Sequence, residues 1–208
     1  MVSRLLAIDT VTSACSVALF EDQKLIAQDY QEIGRGHAER LIPMIEALPN
    51  RGKAEKILVN CGPGSFTGVR IGISAAKALA LAWNSELSGY QCLQLVAAQA
   101  QELAKNPDSI YVAMIGGHGE YFVQNFSASG EAKDALQSLS ATDALGNAQS
   151  NRIAGNAAAA LAELSPHFVT CNLLPKAAHC LLISEQDRYL NVAPVYGRAP
   201  DAVPAKAR

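Results

Sequence analysis

Charge is what this sequence has little of. Asp, Glu, Lys and Arg make up 17% of its 208 residues, against roughly 25% in ordinary soluble domains. So thin a charged coat points to surface that something else covers. The charges also nearly cancel, 17 Lys plus Arg against 19 Asp plus Glu, for a net charge of -2. That balance lacks the positive footprint that phosphate neutralisation requires, which excludes nucleic-acid binding by charge alone. Long apolar runs are missing too. The first, Leu5 to Ile8, is stopped by Asp9, and the longest, Ile71 to Trp83, is interrupted by Lys77. Neither serves as a secretory core or crosses a bilayer, so a cytoplasmic chain without a membrane partner is expected. The five cysteines (Cys15, Cys61, Cys92, Cys171, Cys180) contain no C-x-x-C pair, which argues against a zinc ribbon or disulfide framework and for buried thiols. The four histidines, His37, His118, His167 and His179, show no H-x-x-x-H or H-E-x-x-H spacing, so a helix-borne metal pair is absent.

What is present is a core. Half of the residues are apolar, and the length allows one domain or two small lobes. Leu5 to Asp9, Ala14 to Phe20 and Lys24 to Tyr30 read as three strands joined by polar turns. The period then changes. From His37 to Leu48 apolar residues fall at helical spacing, closed by Pro49-Asn50, with Pro43 inside predicting a kink or a late start. Lys56 to Cys61 reads as a strand, Thr67 to Trp83 as a long helix, and Gln94 to Lys105 as another that Asn106-Pro107 stops. The second half repeats the opening more weakly. Ser109 to Ile115 and Glu120 to Ser127 read as strands around Gly116-Gly117-His118-Gly119. Ser140-Ala141-Thr142-Asp143 resembles a capping box, Asn156 opens an alanine-rich helix to Leu164, and Pro175 suits the first turn of a helix to about Gln186. Strand hairpin, strand and helix, repeated with variation, predict an α/β protein of two similar lobes, each a mixed sheet flanked by helices. The divisions expected are residues 1–106, a smaller lobe over 107–197 and a mobile tail over 198–208.

Gly62-Pro63-Gly64-Ser65-Phe66-Thr67-Gly68-Val69-Arg70 is the most informative stretch. It follows a strand and opens a helix, where free N–H groups can meet an anion. Its spacing nonetheless fails G-x-G-x-x-G, no P-loop lysine follows, and Ser65 lacks the flanking glycines of a nucleophile elbow. Two readings stay open: a tight turn with close helix packing, which is favoured, or phosphate binding. In the helix that follows, Gly68, Gly72 and Ala76 form a small-xxx-small row, and the polar face holds little beyond Arg70, Ser74 and Lys77. A helix apolar nearly all round is covered on both sides, either within the chain or by another lobe or chain. Asp9, ending the first strand, sits where a nucleotide-handling fold places a metal-linked carboxylate, though strand-ending aspartates are also ordinary turn formers. Without convergent acid, base or metal groups, no catalytic, cofactor-binding or metal residue is assigned.

Leu6-Ala7-Ile8-Asp9-Thr10, Cys15-Ser16-Val17-Ala18-Leu19, His37-Ala38-Glu39-Arg40-Leu41-Ile42-Pro43-Met44-Ile45 and the uninterrupted run Gly62 to Ile73 resemble the bacterial TsaB (YeaZ) family over about the first half of the chain. Beyond it only Gly119-Glu120 and Pro194-Val195-Tyr196 with Arg198 keep the likeness. The resemblance implies an actin-like ATPase (ASKHA) fold. It also implies a non-catalytic role in making N6-threonylcarbamoyladenosine at adenosine 37 of tRNAs that read codons beginning with A. There the catalytic paralogue TsaD is the partner, the ATPase TsaE joins the pair, tRNA is met only within the complex, and no cofactor is held. The resemblance places the partner surface on the two helices of the first lobe, bordered by Leu41, Ile45, Val69, Gly72, Ile73 and Ala76, with a homodimer expected when the chain is alone. A bulky charged residue at Ala76 is then expected to abolish the complex and spare the fold. One departure stands out. Where the family commonly has Asp-Ala-Arg before Gly-Glu, this chain has Gly116-Gly117-His118, which removes a carboxylate that would face a nucleotide from the second lobe. The rival readings are an actin-fold ATPase or kinase using Asp9 and the Gly62–Gly68 loop, a metallopeptidase, and a self-associating scaffold unrelated to tRNA.

Overall fold

The computed structural model describes residues 3–104, 108–189 and 191–198. Two five-stranded sheets organise the chain. In the first, β1 (Arg4–Asp9), β2 (Ala14–Glu21) and β3 (Lys24–Glu32) form an antiparallel meander, and β4 (Lys56–Asn60) and β5 (Glu86–Tyr90) add in parallel on the other side of β1, in the order β3-β2-β1-β4-β5. In the second, β6 (Ile110–Gly117), β7 (Glu120–Phe126) and β8 (Gln137–Leu139) form the meander, and β9 (Arg152–Ala154) and β10 (Val169–Cys171) add in parallel beyond β6. The two orders coincide strand for strand. This is the duplicated mixed-sheet architecture of the actin-like (ASKHA) fold.

Both faces of the first sheet are covered, which is why β1 and β2 are apolar in nearly every position rather than in alternate ones. On one face lie α1 (His37–Ala47) and α2 (Phe66–Trp83), with Leu41, Ile45, Val69 and Ile73 packed on Leu6, Ile8, Val17 and Val59. On the other, Ala7, Ala18, Phe20 and Leu58 meet Leu95 of α3 (Cys92–Ala104) and a 3-10 turn at Ala177–Leu182. Leu93, Val96 and Ala100 of α3 continue the first core into the second sheet through Ile110, Val112 and Phe122. The far face of that sheet is closed by α4 (Ala141–Asn147) and α5 (Ala158–Leu164), with Ala144, Ala158 and Leu161 on Tyr111 and Ile153.

Several expectations change. α1 starts at His37, so Pro43 marks no late start; it faces solvent, where the missing N–H costs least. β5, with Glu, Ser and Gly in five residues, carries no strand signal of its own and exists through its pairing with β4. β8, β9 and β10 are three residues each and escape any periodicity. Ser140 does cap α4, its Oγ accepting from the Asp143 N–H at 3.3 Å. Asn156, by contrast, opens no helix: α5 begins two residues later, and Asn156 Oδ1 accepts the Ile115 N–H at 2.9 Å. After Pro175 come two 3-10 turns, Ala177–Leu182 and Glu185–Asp187, in place of one helix. This stretch, assigned by the sequence to the second lobe, packs on the first. The Ala177 N–H donates to Ser16 Oγ at 3.0 Å, Tyr189 bridges to Gly89, and the Val195 N–H donates to the Cys61 carbonyl at 2.8 Å. The expected stop at Asn106-Pro107 and the tail beyond Arg198 lie outside the described residues.

Candidate functional site

The glycine loop turns its bare faces toward the protein. A Cβ on Gly64 would run into the Val11 carbonyl, one on Gly68 into the Thr10 carbonyl, one on Gly72 would lie 2.5 Å from Thr10 Oγ1, and one on Gly62 2.8 Å from the Val195 carbonyl. Gly62 also has φ +98°, where a side chain strains the backbone. The turn after β1 is thereby stitched to α2: Thr10 Oγ1 donates to the Gly68 carbonyl at 2.7 Å, and the Ser65 N–H to the Val11 carbonyl at 2.7 Å. The packing reading of these glycines is the one the geometry supports. Because the obstacle at Gly68 is backbone, Gly68→Ala is expected to cost about 3 kcal/mol of stability, measurable by urea denaturation; an unchanged midpoint would contradict this packing.

Asp9 is fully buried. Its Oδ2 accepts from Asn60 Nδ2 at 2.6 Å and from the Tyr90 hydroxyl at 3.0 Å, and its Oδ1 from the Val11 N–H at 3.3 Å. Asn60 Oδ1 in turn accepts the Gly62 N–H at 2.9 Å. The carboxyl ties the ends of β1, β4 and β5 to the glycine loop and is not among the residues that line the cleft between the lobes. Burial raises its pKa from 3.8 to about 7, against the opposing pull of these hydrogen bonds. The histidines are dispersed as well. His37 is buried with Nε2 3.2 Å from the Ala14 carbonyl, and since a carbonyl only accepts, that nitrogen carries the proton. His167 lies 2.9 Å from Ser165 Oγ. Among the described residues, no group of three His, Cys, Asp or Glu side chains is placed to hold a metal ion.

The six residues expected at a partner surface are brought together, but inward. Leu41, Ile45, Val69, Ile73 and Ala76 are at most 4% exposed, and Gly72 is buried against Thr10. They join α1 and α2 to their own sheet, so the small-residue row serves packing within the chain. The opposite face of the same helices is the open one. On α2, Ser74, Ala78, Leu81 and Ala82 are exposed and Ile71 and Ala75 half-buried; on α1, Ile42 is exposed. Ala76 is therefore no interface position, and the charge test placed there moves to Ala78.

Between the lobes lies a cleft of about 1200 Å³. One wall is the glycine loop and the start of α2, another the segment before α1, and a third the turn Gly116-Gly117-His118 of the second lobe. Its lining includes Arg35, Arg70 and Arg198 against a single carboxylate, Glu39. At its mouth three side chains stack. The Arg70 guanidinium lies 3.6 Å from the centre of the Phe66 ring, the Phe66 and Tyr196 centroids are 5.5 Å apart, and Arg70 Nε donates to the Tyr196 hydroxyl at 3.0 Å. Sequence reasoning missed this cluster. Arg70 shows only as part of a thin polar strip and Tyr196 as a late motif residue, and nothing local says that positions 126 apart meet.

A family model described as "TsaD: tRNA N6-adenosine threonylcarbamoyltransferase" matches residues 26–180. The solved structure of YeaZ from Pseudomonas aeruginosa superposes with a TM-score of 0.75 at 25% identity, covering 93% of this chain and 99% of that one. The chain belongs to this family, on its TsaB (YeaZ) side. The Escherichia coli relative named tRNA threonylcarbamoyladenosine biosynthesis protein TsaB is 40% identical over 102 residues, and the Bacillus subtilis relative of the same name 34% over 102 residues. Each match takes in 47% of this chain and spans 44% of the relative's length. Among the described residues no helix is long and apolar enough to cross a membrane. TsaB-family membership and the two-lobed sheet arrangement agree, and the departure at Gly116-Gly117-His118 falls on the cleft wall.

Proposed function

We propose that this chain is a non-catalytic, cytoplasmic subunit of the machinery that makes N6-threonylcarbamoyladenosine in tRNAs reading codons that begin with A. It binds a TsaD-type catalytic paralogue through the outer face of α1 and α2, the ATPase TsaE joins the pair, and two copies meet through the same face when the paralogue is absent. The observation that carries the pathway assignment is the 40% identity to Escherichia coli TsaB. The open face supports the partner role: Leu81 is 87% and Ile42 47% exposed, beside the small residues Ala78 and Ala82, and apolar surface of this kind marks protein contacts. The burial of Asp9 and the scatter of the histidines support the non-catalytic part, even though the matching family model is described by the transferase. The test is depletion of the protein in its source cell with mass spectrometry of total tRNA. Threonylcarbamoyladenosine is expected to fall to background and to return with the wild-type chain. An unchanged level would overturn the assignment.

A further inference from the structure

We propose that the Phe66–Arg70–Tyr196 stack at the cleft mouth is a platform for unpaired bases, and that the cleft receives a short single-stranded stretch of RNA. This deepens the proposed function and rests on it for the identity of the RNA, an unpaired loop of tRNA.

Phe66 is 56% and Tyr196 44% exposed, so each ring keeps much of its surface in water. Both are nevertheless held in place, Phe66 by the guanidinium over it and Tyr196 by the hydrogen bond from Arg70. The guanidinium covers one face of Phe66, and the ring surface that stays exposed is planar and fixed, which is what an unstacked base requires, because every base has a π-face and the platform loses little entropy on binding. No carboxylate among the described residues forms an ion pair with Arg70. Arg35, exposed on the segment before α1, lines the same cleft. Two cations in one cleft suit a chain with one charge per nucleotide.

Other occupants fit less well. A nucleoside triphosphate concentrates its charge and needs a compact backbone cradle and a divalent cation. Here the loop glycines face Thr10, Val11 and Val195, and Asp9 is buried away from the cleft. An acidic peptide would match the charge but give the rings no planar partner. With a net charge of -2 overall, recognition rests on stacking more than on electrostatics, and binding by the chain alone is weak.

The test is fluorescence anisotropy of a labelled twelve-nucleotide single-stranded RNA titrated with the full chain, beside the same sequence as a duplex and a fluorescent ATP analogue with Mg²⁺. Wild type is expected to bind the single strand in preference to both, with a slope of log K on log salt near -1.4 for about two phosphate contacts. Phe66→Leu and Arg70→Ala are each expected to weaken it about tenfold, the loss of one stacked base, whereas Tyr196→Phe keeps the ring and stays within about twofold. Thermal denaturation of each variant verifies the fold. No association at about 0.1 mM protein, the weak end of non-specific binding, overturns the proposal. So does single-strand binding indifferent to Phe66→Leu and Arg70→Ala, or a preference for the ATP analogue. Failure of the wild-type chain to restore threonylcarbamoyladenosine in depleted cells would strike the pathway reading instead, while the titration still decides whether the platform binds RNA.

Discussion

Ala78→Arg is expected to leave the chain folded and abolish its capture of the proposed TsaD-type partner, while Ala76→Arg, two residues away, prevents folding. The helix separates the two positions by more than half a turn, which sends one side chain to water and the other into the sheet. Ala78 is exposed, and arginine is nearly as good a helix former as alanine. Its melting temperature is therefore expected to stay within about 2 °C of wild type. At the proposed interface an arginine leaves a desolvated charge without a partner, a loss of at least about thirtyfold in affinity. Ala76 is 0% exposed. An arginine there overpacks the core and buries an unpaired charge, at a cost above about 4 kcal/mol, comparable to the whole stability of many domains. Circular dichroism and co-purification with the partner measure both. A folded Ala78→Arg that still binds would move the interface elsewhere, and a stable, soluble Ala76→Arg would contradict the burial of that face.

The second large effect is a dependence of stability on pH through Asp9. Burial raises its carboxyl from 3.8 to about 7 in the folded chain, so between those values the folded state holds a proton that the unfolded state has released. Stability from this group is thus fully present below about pH 4 and lost as pH rises through about 7. A shift of about three units corresponds to about 4 kcal/mol at most. His179 works in the opposite direction, because burial lowers its pKa and protonation favours the unfolded chain. The contribution of Asp9 is therefore read as the difference between wild type and Asp9→Asn in denaturant titrations from pH 4 to pH 8. Wild type is expected to lose stability relative to the variant across that window. Parallel curves would mean that the carboxyl titrates at its ordinary value.

Much of this molecule is legible in the sequence because its strong elements are local. The meander from Arg4 to Glu32 and the helices from His37 and Phe66 each show their period within one window, and the run Gly62 to Ile73 points to the family. Weak elements are another matter. β5 is built from weak strand formers and β8 to β10 hold too few residues for a period, and they form because a neighbouring strand offers its free hydrogen-bonding groups. The small-residue row shows the same division. From the sequence α2 is expected to be covered on two sides, with nothing to say which side its own sheet takes; the structure covers one side with that sheet and leaves the other open.

By itself, then, the sequence determined the fold class and the family, since periodicity, spacing and motif identity are properties of short segments. Only the tertiary structure decided that Gly68, Gly72 and Ala76 face Thr10 and the first sheet, that Asp9 is closed off by Asn60 and Tyr90, and that Tyr196 returns to stack with Phe66 and Arg70. Each of these depends on which distant segment fills the space beside a residue, and chain closure over tens of residues leaves no trace in the local pattern.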